Sequence, residues 1–341
     1  MTRTRGWEQR ASGVLLGQAC GDALGVPYEF AAPPVGKAQM LGGGLGPYAP
    51  GEWSDDTQMA VVIAEVTAQG LSLVPGPQDG PNPAERSTQG LDEVADGFER
   101  WLAGGASDVG THTRRLLRQA ASGRGRPAAR LTAASRALHA DTGHTAGNGA
   151  LMRTSVLGLT HLDDREATAR AAAAVAGLTH ADPLAADSCV LWSEAVRVAV
   201  TQDRFDLVSG LDLLPAARRG HWRRWIDEAT GAEPASFGNN GYTVTALQAA
   251  WAAISGTPVP QACGDIFGTH PCEHLQGALQ AAVRAGNDTD TVAAIAGGLL
   301  GARWGASAVP QHWRGAVHGW PGLRGDDLVR LALLTATGDG T

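Results

Sequence analysis

Apolar residues recur at helical spacing along most of the chain. The first clear stretch has them at positions i, i+3, i+4 and i+7: Met59, Val62, Ile63 and Val66. A second stretch again keeps them on one helix face: Val292, Ile295, Leu299 and Leu300. Further helices are predicted at residues 170–178, 190–200, 245–254 and 328–334. The pattern therefore predicts a helical protein.

The segments between these stretches favour the same conclusion. They are rich in alanine and short of β-branched runs, which favours helix by propensity. No set of alternating strands and no βαβ spacing is present in the sequence. We expect an all-α fold.

Two segments have the composition of loops. Residues 74–86 contain the run VPGPQDGPNP, whose prolines predict an exposed and mobile loop. Residues 41–51 are rich in glycine and proline and lead into an acidic motif. Neither segment has to be a domain boundary.

Composition narrows the class of protein. In 341 residues, 43% are hydrophobic and 18% charged, which excludes a disordered chain. The formal net charge of −7 argues against general nucleic-acid binding, although a local site can still take a small anion. The longest apolar run, 292–302, is far shorter than the roughly 20 residues of a membrane span. With sparse cysteines and no secretory pattern, we expect a cytoplasmic protein with no membrane association.

Two clusters of carboxylates and hydroxyls come immediately before predicted helices. They are Ser54, Asp55 and Asp56, and Asp288, Asp290 and Thr291. One interpretation is N-capping, because such side chains accept hydrogen bonds from free N–H groups at a helix start. The other is a metal site, because adjacent carboxylates that are partly buried need a cation. Hard oxygen ligands suit Mg²⁺, Mn²⁺ or Ca²⁺ rather than zinc. The sequence favours the metal site and leaves capping open.

Five segments in this order resemble the ADP-ribosylglycohydrolase family. They are GDALGVPYEF (21–30), SDDTQMA (54–60), GNGALMR (147–153), THADP (179–183) and NDTDTVAAIAGGLLGA (287–302). The resemblance runs from about residue 10 to about residue 335. It implies one all-α domain of orthogonal helices over residues 1–341. It also implies hydrolysis of the glycosidic bond between ADP-ribose and an acceptor.

The resemblance also implies a binuclear Mg²⁺ or Mn²⁺ centre. Its ligands would be the two acidic clusters, with either Asp290 or Asp55 bridging both ions. The implied catalytic groups are Glu29, Asp56 and Asp108. Glu29 matches a glutamate near the metals that orients water or gates the site, and its chemistry also makes it the best candidate general base. Asp108 resembles a residue that contacts the ribose or leaving group. Without the resemblance, Glu29 would be read as a surface carboxylate.

The implied ADP-ribose contacts lie in three places. The glycine-rich stretch 143–149 could cradle a diphosphate through its backbone N–H groups. A simple tight turn would explain the same glycines equally well. The resemblance assigns the nucleotide to Gly147, Asn148, Gly149, His180 and Tyr242. His180, in a helical context, could equally be a core histidine, and Tyr242 could simply pack rather than stack on adenine. Arg153 could pair with phosphate or with an internal acid.

Two positions depart from the family pattern. Ser54 replaces a threonine and keeps the hydroxyl. Asn287 replaces a glycine, and asparagine is the least costly substitute if the backbone there has positive φ.

The sequence does not identify the acceptor that is linked to ADP-ribose. Arginine, serine, a nucleic-acid base and a small molecule all stay open, and Asp108 slightly favours arginine. Expected partners are an ADP-ribosylated protein or small-molecule conjugate, with a monomer as the default. The alternatives are a non-catalytic ADP-ribose-binding or structural family member, and a hydrolase of another ADP-ribose conjugate. A zinc site from Cys263, His270, Cys272 and His274 is disfavoured because its spacing does not fit the common zinc motifs.

Overall fold

The computed structural model describes residues 3–74, 89–262 and 270–338. Its α-helices are α1 (Trp7–Gly25), α2 (Asp55–Thr67), α3 (Gln89–Ala103), α4 (Thr111–Ala121), α5 (Pro127–Thr142), α6 (Arg165–Gly177), α7 (Pro183–Gln202), α8 (Ala216–Ala229), α9 (Thr243–Gly256), α10 (His274–Val283), α11 (Thr289–Trp304), α12 (Gln311–Ala316) and α13 (Gly325–Thr337). Across these ranges the only sheet is a hairpin of β1 (His318–Gly319) and β2 (Leu323–Arg324). The all-α prediction is confirmed. The predicted loop at 74–86 lies, beyond Val74, outside the described residues.

The predicted helical stretches are confirmed, and the two helices that follow the acidic clusters begin earlier than expected. α2 begins at Asp55 and α11 at Thr289. The acidic clusters therefore lie largely inside the first turns of these helices, not ahead of them. Carboxylates are compatible with a first helical turn because the helix dipole is positive there.

Glycines bring α1 and α11 into backbone contact. A Cβ atom placed on Gly17 would lie 2.3 Å from the carbonyl oxygen of Gly297. One placed on Gly297 would lie 2.1 Å from the carbonyl oxygen of Gly17. The same close approach continues along α1 at Gly13, Gly21 and Gly25. Since no side chain fits between them, the two helices pack backbone against backbone.

The core surrounds this helix pair. Both helices are buried along nearly their whole length, and the buried apolar side chains form one connected cluster that extends to α2, α7 and α9. That continuity agrees with a single domain, which stays a prediction. No described helix has the length and apolarity to cross a bilayer.

Candidate active site

The acidic residues meet where three helices converge. Asp22 lies in the last turn of α1, Asp56 in the first turn of α2, and Asp290 in the first turn of α11. The close packing of α1 on α11 places Gly25 directly against the backbone of Asp290. Glu29 follows α1 after a short 3-10 helix (Val26–Tyr28). Three distant parts of the chain thus contribute carboxylates to one place.

Asp22 caps α2 from another helix. One carboxylate oxygen accepts from the backbone N–H and hydroxyl of Ser54, at 2.9 and 2.8 Å. The other accepts from the N–H and hydroxyl of Thr57, at 3.0 and 2.6 Å. The N-cap residues Ser54 and Asp288 make no side-chain capping bond themselves. The local capping interpretation is therefore wrong for Ser54, because α2 receives its cap from Asp22 of α1.

The carboxylates form one buried and one partly buried group, and the two groups share one member. Asp22, Asp56 and Asp290 have carboxylate oxygens within 4.8 Å of one another, and so do Glu29, Asp288 and Asp290. Asp22, Asp56 and Asp290 are 0%, 1% and 2% exposed, which leaves almost no water to separate their charges. Asp290 thus lies between two acidic groups.

Burial and repulsion raise the pKa values of these acids. Burial, and then Asp108, raise the pKa of Glu29 to about 9. Burial raises the pKa of Asp22 to about 6, although its four hydrogen bonds oppose the rise. The pKa values of Asp56 and Asp290 are also raised well above the usual range, first by burial and then by neighbouring carboxylates. Without a cation, this cluster favours bound protons.

The donor set fits a divalent metal. Oδ1 of Asp56 is buried and has no hydrogen-bond partner among the described residues. None of the ion pairs found in the described ranges includes a carboxylate of either acidic group. Buried carboxylates without basic partners, all offering oxygen, are typical of Mg²⁺ or Mn²⁺ sites.

The remaining predicted ligands lie around these groups. The Ser54 hydroxyl lies 3.1 Å from Oδ2 of Asp56. The hydroxyl of Thr291 partly offsets the rise in the pKa of Asp56, which places it beside that carboxylate. Asp55 is half-buried, and after burial its raised pKa owes most to Asp108. All six predicted ligands are thus in the same region.

Asn287 has the left-handed backbone that its position in the motif suggested. Its φ angle is 57°, directly after Gly286 at 75°. Its side-chain amide donates to the carbonyl of Gly238 at 2.7 Å, and its own carbonyl accepts from the N–H of Phe30 at 2.7 Å. The expected compatibility of asparagine with positive φ is confirmed.

The glycine-rich segment lies against the acidic site. Asn148 donates its side-chain amide to Oδ2 of Asp288 at 2.7 Å and to the carbonyl of Asn240 at 2.9 Å. Gly147 pairs with Tyr242 in an isolated antiparallel bridge. Next to this bridge is a pocket of about 400 Å³, lined by Gly143, His144, Ala146, Gly147, Asp182, Asn239, Gly241 and Tyr242. Of the predicted nucleotide residues, Gly147 and Tyr242 therefore line the pocket, and Asn148 contacts the carboxylates.

His180 and Arg153 differ from their sequence interpretation. His180 lies in the connection between α6 and α7, not in a helix, and its ring lies beside Gly147 and Gly149. Within the described ranges, Arg153 forms no ion pair with an acid. It is fully buried, donates to the Thr179 hydroxyl at 2.6 Å, and stacks on Phe98 at 4.5 Å. Its environment is the core, which solvent does not reach.

Asp108 and two residues that the sequence analysis missed complete the site. Asp108 is half-buried between α3 and α4, and burial followed by Asp288 raises its pKa. Tyr48 is buried near Asp55 and Asp108, with its pKa raised mainly by burial. Asp22 was overlooked as a site residue although it lies in the motif GDALGVPYEF, where a carboxylate inside an apolar helix was an available signal.

The fold and site define an all-α protein with a carboxylate-rich centre beside a glycine-rich pocket. The sequence model of the family described as ADP-ribosylglycohydrolase matches residues 3–340. The chain belongs to the ADP-ribosylglycohydrolase family.

Individual relatives agree with this assignment. The chain is 27% identical to "ADP-ribosylarginine hydrolase Tri1" of Pseudomonas putida (strain GB-1), over 89% of this chain and 73% of that protein. It is also 27% identical to "ADP-ribosyl-[dinitrogen reductase] glycohydrolase" of Rhodospirillum rubrum, over 89% of this chain and 88% of that protein. A solved structure described as an "ADP-ribosylglycohydrolase-related protein complex" is similar with a TM-score of 0.71 and 26% identity, covering 99% of this chain and 100% of that one.

Proposed function

We propose that this protein hydrolyses the glycosidic bond between ADP-ribose and an arginine side chain of a modified protein. The observation that carries the proposal is the pair of carboxylate groups that share Asp290 and adjoin the Gly147–Tyr242 pocket. Two relatives are named for action on ADP-ribosylarginine and on ADP-ribosylated dinitrogen reductase. Both names describe substrates that are ADP-ribosylated proteins or residues.

The site would hold two divalent ions, Mg²⁺ or Mn²⁺. Asp290 would contact both ions because it belongs to both acidic groups. Asp56, whose Oδ1 has no hydrogen-bond partner among the described residues, and Asp288 would also be ligands. Ser54, Asp55 and Thr291 would complete the ligand set. When bound, such ions lower the pKa of coordinated water and orient hydroxyl groups of the ribose.

The chain's own carboxylates would do the remaining chemistry. Glycoside cleavage passes through an oxocarbenium-like state, so anionic groups near the ribose stabilise it. Glu29 is half-buried beside Asp288 and Asp290 and is the best-placed general base for an attacking water. Asp108, on the half-exposed side of the cluster, would face the departing guanidinium, whose positive charge a carboxylate attracts.

ADP-ribose would extend from the carboxylates into the pocket. The backbone of Gly147 to Gly149 would face the diphosphate, and Tyr242 would provide an aromatic surface for adenine. Asn148 would connect the two parts, because its amide already contacts Asp288. The chain thus offers separate places for the nucleotide and for the bond that breaks.

Release of ADP-ribose from matched peptides tests this function. One peptide carries ADP-ribosyl-arginine and the other ADP-ribosyl-serine, each assayed with Mg²⁺, with Mn²⁺ and with chelator. We expect metal-dependent release from the arginine peptide. Release from serine alone would overturn the proposed acceptor. No release from either peptide, with ADP-ribose still binding, would indicate a non-catalytic family member or a different conjugate.

A further inference from the structure

Three buried side chains form a hydrogen-bonded chain beneath the glycine-rich loop. Nη2 of Arg153 donates to Oγ1 of Thr179 at 2.6 Å. The same oxygen lies 2.8 Å from Nδ1 of His180. Arg153 and Thr179 are fully buried, and His180 is 3% exposed. No carboxylate of the two acidic groups takes part in these hydrogen bonds.

The chemistry of the three side chains determines which of them donates in each hydrogen bond. A guanidinium has no acceptor, so Thr179 must accept from Arg153. The Thr179 hydroxyl still has its own proton, and His180 Nδ1 is its hydrogen-bond partner in the described structure. If Nδ1 carried the proton instead, the Thr179 hydroxyl would be left buried without an acceptor, which is costly. Nδ1 is therefore the acceptor, and Nε2 carries the ring proton.

Nε2 of His180 is directed at the glycine-rich loop. A Cβ atom on Gly147 would lie 3.5 Å from Nε2, and one on Gly149 would lie 3.4 Å from it. No residue of the described chain forms a hydrogen bond with Nε2. The neighbouring His112 is occupied elsewhere, because its Nε2 bonds to the carbonyl of Thr179 at 2.8 Å. His180 therefore has one unused donor at the loop.

We propose that Thr179, held by Arg153, is a positioning residue that keeps His180 in the tautomer protonated on Nε2, so that His180 donates to the diphosphate of ADP-ribose. This inference rests on the proposed function, since it takes ADP-ribose as the ligand. The opposite tautomer would present a nitrogen lone pair to the phosphate oxygens, and two acceptors repel each other. Arg153 would thus influence the ligand without touching it.

Because His180 is neutral, its tautomer determines whether Nε2 can donate a hydrogen bond. Burial, and then His112 and Arg153, hold the pKa of His180 well below its usual value. A neutral imidazole has one donor and one acceptor, whereas a protonated imidazole would have two donors whatever its partners. Only in the neutral ring does the partner on Nδ1 decide what Nε2 offers.

Two substitutions of Thr179 separate positioning from packing. Thr179→Val removes the hydroxyl with little change of shape, and Thr179→Ser retains it. The readouts are the ¹⁵N shifts of the His180 ring, assigned with His180→Gln, and the calorimetric affinities for ADP-ribose and for adenosine. Thr168→Val is the matched control, since Thr168 is a buried threonine whose hydroxyl bonds only to backbone carbonyls of His161 and Asp164.

In the unmodified protein we expect the proton on Nε2. Thr179→Val should change the tautomer population and weaken ADP-ribose binding about tenfold, with adenosine binding unchanged because adenosine has no diphosphate. Thr179→Ser and Thr168→Val should bind like the unmodified protein.

Several outcomes would overturn the proposal. A proton on Nδ1 in the unmodified protein would do so without any variant. Equal weakening of ADP-ribose and adenosine by Thr179→Val would show a purely structural role, and unchanged ADP-ribose affinity would show no role. Failure of the proposed function looks different: the unmodified protein would then release no ADP-ribose from peptides, whatever the state of His180.

Discussion

One carboxylate oxygen of Asp22 accepts two hydrogen bonds from Thr57, which lies 35 positions further along the chain. The donors are the backbone N–H and the hydroxyl of Thr57. The other oxygen is occupied in the same way by Ser54. Asp22 is therefore saturated with donors. Beside Asp56 and Asp290, it supports α2, while Oδ1 of Asp56 has no hydrogen-bond partner among the described residues.

Asp22→Asn should destabilise the protein. An amide has only one oxygen, so the two donors of either Ser54 or Thr57 would meet an NH₂ group instead. We expect a loss of about 1–3 kcal/mol in the free energy of unfolding, measured by denaturant titration. Asp164→Asn is the control, because Asp164 caps α6 through a single bond to the N–H of Ala167, which asparagine also makes. Equal stability of the two variants would contradict the cross-helix cap.

Asp290→Asn should separate metal binding from folding. Replacing the carboxylate common to both acidic groups should reduce Mn²⁺ affinity by at least about 100-fold in titration calorimetry. The metal-free variant should melt at a higher temperature at pH 8, because burial and neighbouring carboxylates raise the pKa of Asp290 and disfavour its ionised form, whereas asparagine has no charge to bury. Asp227→Asn, in an exposed pair with Arg223, should change neither property. A variant that unfolds would show that Asp290 is mainly structural.

Stability of the metal-free protein should fall as pH rises. The pKa of Asp22 is about 6 and that of Glu29 about 9, above roughly 4 for these groups in an unfolded chain. Between about pH 4 and 9 the folded protein thus binds more protons than the unfolded chain, so the free energy of unfolding decreases with pH. Thermal unfolding in chelator should give a lower Tm at pH 8 than at pH 5.

Saturating Mn²⁺ supplies the control for this pH dependence. Its charge favours the ionised carboxylates, so the decrease in Tm between the two pH values should shrink or reverse. A chelated protein with the same Tm at both values would mean that the carboxylates are not held in a proton-binding environment.

Glu29→Gln should slow turnover without removing the ligand. If Glu29 activates water, kcat should fall by about 10²- to 10⁴-fold while ADP-ribose affinity is retained. Initial rates on the ADP-ribosyl-arginine peptide give kcat, and calorimetry gives affinity. Glu166→Gln, at an exposed position on α6, should leave both unchanged. An unaltered kcat in Glu29→Gln would remove this residue from the reaction.

Gly297→Ala should force α1 and α11 apart. Its methyl group would lie 2.1 Å from the carbonyl oxygen of Gly17, so one backbone has to move. We expect a loss of about 1–3 kcal/mol, as for other overpacked cores, and weaker Mn²⁺ binding because the helices carry the site. Gly177→Ala, where a Cβ meets nothing within 4 Å, should be neutral or stabilising. Chemical denaturation of both variants measures the change in the free energy of unfolding.

Sequence patterns were sufficient for the helices and for the location of the acidic clusters. Periodicity reports which face of a helix is buried, and that is a local property. The role of Asp22 could not be read in this way, because its donors are more than 30 residues away. Likewise, the spacing of Gly13, Gly17, Gly21 and Gly25 at every fourth position was visible, but its meaning depends on the helix that packs there. The sequence left Arg153 open between phosphate and an internal acid, because its actual partners, Thr179 and Phe98, are distant in the sequence.

The packing of Gly17 against Gly297 also sets when the site can form during synthesis. These residues are 280 positions apart, so the ribosome must release α11 before α1 finds its partner. A growing chain that stops short of α11 holds the carboxylates of α1 and α2 but lacks Asp288 and Asp290. Contacts of this long range are slow to close because the intervening chain must first be ordered. Completion of the carboxylate cluster is therefore one of the last events in the maturation of this chain.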